Sequence, residues 1–391
     1  MKSKQFGIFL IVINFIFTLH FTLNSYINSS FLEQFIPVAY VGPLYTIAAA
    51  LAIIFFTQAE QILISIGVYR TTIYLIALDA ASLLGLSLFG AAGTGSAVVP
   101  VGFFIIHYVT AAFILSLTFD LYFEQNSHDH KTGFARGAFL TAANIAWLIS
   151  PLLFSRLVGE SSFWHVYSIS FILSLLLLIT SIVGLRKTSM PHLKKVFFWK
   201  TFKEMLKRKD LFRIFTANFV LQFFFAWMII YLPIHLHQTI GFSWGEIGLI
   251  FTIMLLPYVL LEIPLGYIAD RYLGEKELLA TGFIIMFLFT IPLGFMSGAH
   301  FFLWSFVLFG TRIGSAMVEI MTESYFFKKI SAVDGNLISF FRNSQPMAYV
   351  AGPLTGSVAL VIFGKIEYLF VILAFFVLAG LVSGMHLKDT R

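Results

Sequence analysis

Long apolar runs separated by short polar breaks fill most of the chain. A bilayer-spanning helix needs about 20 mostly apolar residues. Twelve runs approach or exceed that length: 6–23, 38–66, 72–88, 97–119, 134–157, 163–185, 215–236, 247–269, 278–296, 301–327, 337–363 and 368–387. Spans of a β-barrel alternate apolar and polar residues over about 10 positions, whereas these runs are continuous. The pattern predicts an all-α membrane protein with twelve transmembrane helices. The first run follows a basic MKSK start and so imitates a secretory leader. It is long enough to span and no small-x-small cleavage site follows, so it reads as the first transmembrane helix.

One connection is long. Residues 187–213 separate six runs from six, predicting an N-terminal bundle over 1–186, a linker, and a C-terminal bundle over 214–391. The linker is densely basic, and residues 198–211 alternate apolar and basic positions like a helix lying on a membrane surface. The 25 Lys and Arg residues set the orientation, because cytoplasmic loops carry the excess of them. With the N-terminus inside, only Arg156 and Lys365 fall in outer loops, and Arg312 and Arg342 fall within spans. Both termini and the linker are therefore expected to be cytoplasmic.

Composition excludes a water-soluble enzyme. The chain is 59% hydrophobic and 11% charged, with mean hydropathy +0.90, against roughly 25% charged residues in soluble domains. The formal charge of +6 sits in loops and forms no basic face for nucleic acid. No cysteine is present, which removes disulfide, thiol and cysteine–metal chemistry. The halves also echo each other. Residues 117–124 (LTFDLYFE) resemble 321–328 (MTESYFFK), and 149–153 (ISPLL) resemble 351–355 (AGPLT), at nearly the same offset. That is the signature of a parallel 6+6 repeat.

The stretch 266–276, GYIADRYLGEK, places Gly266, Asp270, Arg271, Gly274 and Lys276 between two spans. It resembles the inner-loop signature of the major facilitator superfamily, approximately G-x-x-x-D-R-x-G-x-R/K, with one extra residue before the second glycine. The preceding Glu262-Ile-Pro264-Leu is also typical of the helix that enters this loop. The resemblance covers the whole chain and implies two six-helix bundles that rock about a central cavity to expose it to alternate sides. It implies a conformational gate at Glu262, Gly266, Asp270, Arg271, Gly274 and Lys276. The corresponding first-half loop, ILISIGVYRTT, keeps Gly67 and Arg70 and lacks the Asp-Arg pair. The fourth-helix arginine of drug exporters has no counterpart, the fourth run holding only His107. The antiporter signature of the fifth helix is reduced to Ser150-Pro151.

Asp270 is placed to accept from the free backbone N–H groups at the start of a neighbouring helix, for which pseudo-symmetry nominates the fifth run near Gly133. The plainer alternative is a loop ion pair with Arg271. Ionisable residues inside spans are costly and so are functional candidates. In the tenth run Arg312, Glu319 and Glu323 recur at helical spacing on one face, with Ser315 beside them. The eleventh carries Ser339, Arg342, Asn343, Gln345 and Tyr349. Arg342 reaches either glutamate in depth, so one reading is a structural Arg–Glu lock. The other assigns Arg312 as partner of a substrate charge and Glu319 as proton carrier. In the first half, Glu60 and Asp79 lie at similar depths. Two close carboxylates cannot both ionise cheaply in a low dielectric, which suits proton coupling. Their alternative is separate neighbours, or a reach toward Arg70. Glu262 reads as a packing hydrogen bond. Trp147, Trp227, Tyr231 and Tyr349, with Asn144, Asn218, Gln222 and Asn343 nearby, are the expected cavity lining. Pro43, Pro233, Pro257, Pro264, Pro346 and Pro353 mark bends.

No phosphate-binding Gly-Lys-Ser/Thr loop occurs, so no ATP-driven step is expected. His128 and His130 fall in a polar inner loop, and no metal site is expected. The chain thus reads as a monomeric secondary transporter and not an enzyme, in a bacterial cytoplasmic membrane. It is expected to use no cofactor, to draw on the proton gradient, and to export a small amphiphilic molecule. The alternatives are a nutrient-uptake permease and a non-transporting receptor or scaffold of the same fold.

Overall fold

The computed structural model describes residues 3–92, 96–114, 118–119, 122, 132–159, 162–185, 198–330 and 335–388. The His128/His130 loop, most of 117–124 and the first half of the linker lie outside the described residues, as do the side chains of Glu60, Glu262, Asp270 and Ser339.

Every regular element in the described residues is helical. In chain order they are α1 (Ser3–Ser25), α2 (Asn28–Leu32), α3 (Val38–Thr57), α4 (Ala59–Ile66), α5 (Val68–Ala92), α6 (Val98–Phe113), α7 (Thr132–Val158) and α8 (Trp164–Gly184). Then come α9 (Phe198–Lys207), α10 (Lys209–Ile234), α11 (Trp244–Ile268), α12 (Glu275–Thr290), α13 (Phe301–Lys329), α14 (Gly335–Arg342), α15 (Ser344–Phe363) and α16 (Glu367–Met385). Among the described residues, eleven spans are long and apolar enough to cross a membrane, and Val98–Phe113 is a shorter apolar helix at the fourth predicted run. Each of the twelve runs thus has its helix.

Three runs are interrupted, each for a local reason. The second breaks at Gln58 (φ −96°, ψ 0°), where the Thr57 hydroxyl donates back to the Ile54 carbonyl at 2.7 Å and competes with helix continuation. The eleventh breaks at Asn343, between α14 and α15. Pro346 lacks an N–H, and its ring collides with a helical carbonyl four residues back, at Arg342. The seventh passes from α-helix into a π-helical segment, His235–Ile240, just after Pro233.

The chain divides into two compact units: Met1–Leu193 with Ser243–Gly248, and Lys194–Phe242 with Leu249–Arg391. In the first, α1 packs on α7 and α8, and α5 packs on α6 and α8. The buried face of α1 runs Phe6, Leu10, Ile13, Phe17 and continues through His20 and Asn24, an alternating 4-3 spacing that keeps one helical stripe inward. In the second unit α10 is central, touching α13, α15 and α16. Small residues permit the closest approaches, as lipid-embedded helices require. A Cβ on Gly314 would sit 2.6 Å from the Gly282 carbonyl oxygen of α12, and a Cβ on Gly356 would sit 2.5 Å from the Tyr231 ring of α10. Large apolar side chains such as Phe302 (85% exposed) and Val183 (84%) face outward, the surface expected where hydrocarbon is the solvent.

Candidate functional site

The inward stripes of four helices in the first unit converge on one polar cluster. His20 on α1, Asp79 on α5, His107 on α6 and Ser174 on α8 are all essentially inaccessible. Each lies on the buried stripe of its helix: Asp79 with Ile76 and Leu83, His107 with Phe104 and Ala111, Ser174 with Ser170 and Leu177. At a rise of about 1.5 Å per residue, Asp79 lies roughly 17 Å along α5, near the middle of the span.

The carboxylate of Asp79 is fully engaged. Its Oδ1 is 2.8 Å from His107 Nδ1, with the Thr110 hydroxyl beside it at 3.3 Å donating to the Ile106 carbonyl at 2.8 Å. Its Oδ2 is 2.9 Å from His20 Nε2 and accepts from the Ser174 hydroxyl at 3.0 Å. The second nitrogens, His20 Nδ1 and His107 Nε2, are buried and have no hydrogen-bond partner among the described residues. One carboxylate and two imidazoles carry zero net charge when one proton is shared among the rings. Below the cluster, Phe17 packs edge-on to His20 at 5.1 Å. Beyond it, separate polar rungs continue along α8: Ser170 donates to Asn24 Oδ1 of α1 at 3.0 Å, and Tyr167 donates to Asn28 Oδ1 of α2 at 2.7 Å.

The second unit buries a different charge. Arg312 on α13 is 2% exposed. Its guanidinium lies over the rings of Phe224 and Phe225 of α10, 5.4 Å from each centroid. Its Nε has no partner among the described residues, and no carboxylate there lies within ion-pair distance of it. Tyr258 of α11 hydrogen-bonds Ser315 at 2.6 Å and feels the charges of both Arg312 and Glu319. Gly310 and Gly314, which flank Arg312, press α13 against α12.

The remaining expected site residues are dispersed. Glu323 is exposed, and the Arg342 charge acts on it. Asn218 donates to Ser344 at 2.8 Å, tying α10 to α15. Trp227 and Tyr231, expected to line a cavity, lie inside that same seam. Trp227 Nε1 donates to the Gly352 carbonyl at 2.6 Å, and the Tyr231 hydroxyl donates to the Pro353 carbonyl at 2.8 Å. Trp147 packs edge-on to Phe21 and Tyr26. Gln222, Asn343 and Tyr349 are partly buried, and Asn144 is exposed.

The 266–276 stretch is a structured hinge. Helix α11 passes into a π-helical turn, Ala269–Leu273, closed by the Gly274 N–H on the Ala269 carbonyl at 3.1 Å. A π-turn takes up one additional residue, which accounts for the extra residue before the second glycine. Gly274 then adopts φ +81°, a conformation that favours glycine, and α12 begins. Arg271 donates to the Tyr267 hydroxyl and lies over its ring. Lys276 is half-buried. The side chain buried here is Glu275, 1% exposed, which accepts from Ser324 at 3.0 Å and pairs with Lys328, both on α13. In the first unit α4 ends at Gly67 with φ +87°, and α5 begins at once. Both hinges thus share one backbone solution.

The family model for the Major Facilitator Superfamily matches residues 128–322 and 214–390, together well over half of the chain. The chain belongs to the major facilitator superfamily. It is also similar to an uncharacterized MFS-type transporter of Methanocaldococcus jannaschii, 30% identical over 158 residues, a match covering 39% of this chain and 39% of that relative. Among solved structures, the nucleoside transporter NupG superposes with a TM-score of 0.77 at 14% identity, covering 97% of this chain and 99% of that one. An auto-inhibited POT family peptide transporter gives 0.76 at 14% identity, covering 99% and 98%. At such identities the likeness establishes the fold. The protein is therefore a multi-pass membrane protein of the MFS fold, with twelve transmembrane helices in two six-helix bundles.

Sequence reasoning singled out Asp79 and noted His107, but not His20 or Ser174. The signal for His20 was present: a titratable ring at a helical-stripe position within an apolar run. Glu275 was hidden by the neighbouring Asp-Arg pair, which matches the family pattern.

Proposed function

We propose that this MFS transporter is proton-coupled and that the His20–Asp79–His107 cluster is its proton site. One observation carries the reading: a carboxylate buried at mid-span is held by two imidazoles, and each ring keeps a buried second nitrogen without a partner among the described residues. Stability does not account for the arrangement. An Asp at the centre of a span costs about 2.5–3.5 kcal/mol, while an interhelical hydrogen bond in a membrane contributes about 0.6 kcal/mol. The bonds from His20, His107 and Ser174 to Asp79 therefore do no more than offset its insertion, and an apolar packing would serve the fold as well. Intramembrane Asp and His chains are the groups by which transporters carry protons. The proton-carrier role expected of Glu319 passes to Asp79 and its histidines.

Arg312 is the partner we assign to a substrate charge. Its guanidinium stands among Phe224, Phe225 and Tyr258, surroundings that suit an amphiphile with an anionic or strongly polar group. Export is the direction we assign, with the protein acting as a monomer and no cofactor besides the proton gradient. The test starts from a thermal-shift screen for stabilising compounds, followed by transport of each hit in proteoliposomes with the pH gradient imposed in either sense. Uptake driven by protons flowing in with the compound, when the outside is made acidic, would reverse the assigned direction. Transport indifferent to pH gradient, in wild type and Asp79→Asn alike, would remove the proton site.

A further inference from the structure

A cleft of about 360 Å³ opens at one end of the second unit, lined by Arg208, Lys209, Asp210, Arg213, Lys329 and Lys388, with Leu211 at its base. Five cations from three separate parts of the chain meet there: the start of α10, the end of α13 and the tail after α16. The one carboxylate, Asp210, pairs with Arg213 at 3.1 Å. Arg208 pairs in turn with Glu204 of α9 at 3.3 Å, so the cleft keeps a net charge of about three positive units. We propose that it binds the phosphate headgroup of an anionic phospholipid in the cytoplasmic leaflet.

Three observations select a lipid. First, the cleft lies where two spans end. Lys209 opens the apolar stretch Lys209–Ile240, and Lys329 closes Phe301–Lys329, which sets the cleft at headgroup depth. Second, α9 packs on α10 directly before it. That helix buries Thr201 and Met205 against the protein and turns Lys203, Lys207 and the 44% exposed Leu206 outward together, cations beside an apolar side chain that can enter the interface. Third, the cleft is preformed, which lowers the ordering cost of binding. Buried Tyr325 fixes both lysine-bearing ends: its hydroxyl donates to the Lys388 carbonyl at 2.9 Å, and its ring carries Lys329 Nζ at 5.4 Å. Basic clefts between helices on the cytoplasmic side are suited to phosphodiester headgroups. The leaflet follows from the Lys/Arg bias of the loops.

The experiment is thermal unfolding of the full-length protein in neutral detergent, titrated with phosphatidylglycerol, phosphatidylcholine or inorganic phosphate. The expected result is a rise in Tm with phosphatidylglycerol alone. The same rise is expected in the Lys329→Arg/Lys388→Arg protein, with about 30-fold weaker binding in Lys329→Gln/Lys388→Gln. An equal response to phosphatidylcholine, or a full response in the Gln variant, overturns the proposal. Inorganic phosphate reproducing the shift at millimolar concentration overturns the lipid assignment in favour of a free anion. If the Gln variant does not fold, native mass spectrometry of the wild type decides. Preferential retention of phosphatidylglycerol over phosphatidylcholine supports the site, and equal retention refutes it.

Discussion

The two units of this transporter each bury an ionisable group within the membrane span, and they treat it in opposite ways. In the first unit, Asp79 is held by three side chains of its own bundle, His20, His107 and Ser174. In the second, Arg312 is surrounded by rings, keeps an unpaired Nε, and has no carboxylate at ion-pair distance among the described residues. A self-contained cluster can gain or lose a proton without help from a ligand. A cation held by aromatic faces, by contrast, gains most from an anion brought to it, because the desolvation cost of the guanidinium is already met. We propose that the related halves divide the labour, with proton handling in one and substrate charge in the other.

The largest expected effect that breaks this comparison comes from Asp79. Asp79→Ala leaves two buried imidazoles without their acceptor and is expected to destabilise the protein by about 3–5 kcal/mol, read as a fall in thermal midpoint. Asp79→Asn keeps the shape and is expected to fold, bind substrate and lose gradient-driven transport. Next comes Arg312. Arg312→Leu is expected to leave stability unchanged or raised, since it removes a buried charge, while abolishing binding of any anionic compound that stabilises the wild type. A smaller effect falls on the α10–α15 seam. Gly356→Leu drives a side chain into Tyr231 and is expected to cost roughly 1–3 kcal/mol, without altering the pH dependence of transport. The smallest sharpens the symmetry of the hinges. Gly67→Ala and Gly274→Ala each force a β-carbon into positive φ with extended ψ, at about 1–3 kcal/mol. Equal costs in denaturant unfolding would show that the two hinges are equivalent, and unequal ones would rank them.

Much of this architecture was legible in the sequence. Each of the twelve apolar runs is helical, the second and eleventh as two helices apiece, and the family was readable from Gly266, Asp270, Arg271, Gly274 and Lys276. Interruptions were legible only in hindsight. Pro346 breaks its run at Asn343, whereas Pro257 and Pro264 are carried inside α11, because neighbouring helices can satisfy freed backbone groups in a membrane. The polar clusters were half legible. Stripe spacing turns His20, Asp79, His107 and Ser174 inward on four different helices, but which helices meet is a tertiary fact. Asp79 was therefore matched with Glu60 and Arg70 by nearness in sequence, whereas its partners lie 28 to 95 residues away. Trp227 and Tyr231 show the converse. Their polar neighbours suggested a cavity, and the structure spends their donors on the carbonyls of Gly352 and Pro353.

The most direct test of the proton site uses proteoliposomes containing a pH-sensitive dye and a compound that stabilises the purified protein. Addition of the compound to wild-type vesicles without an imposed gradient is expected to change internal pH as it moves. In Asp79→Asn vesicles the compound should equilibrate with no pH change. Proton movement that persists in Asp79→Asn at the wild-type ratio to substrate would contradict the account and return the carrier role to the second unit.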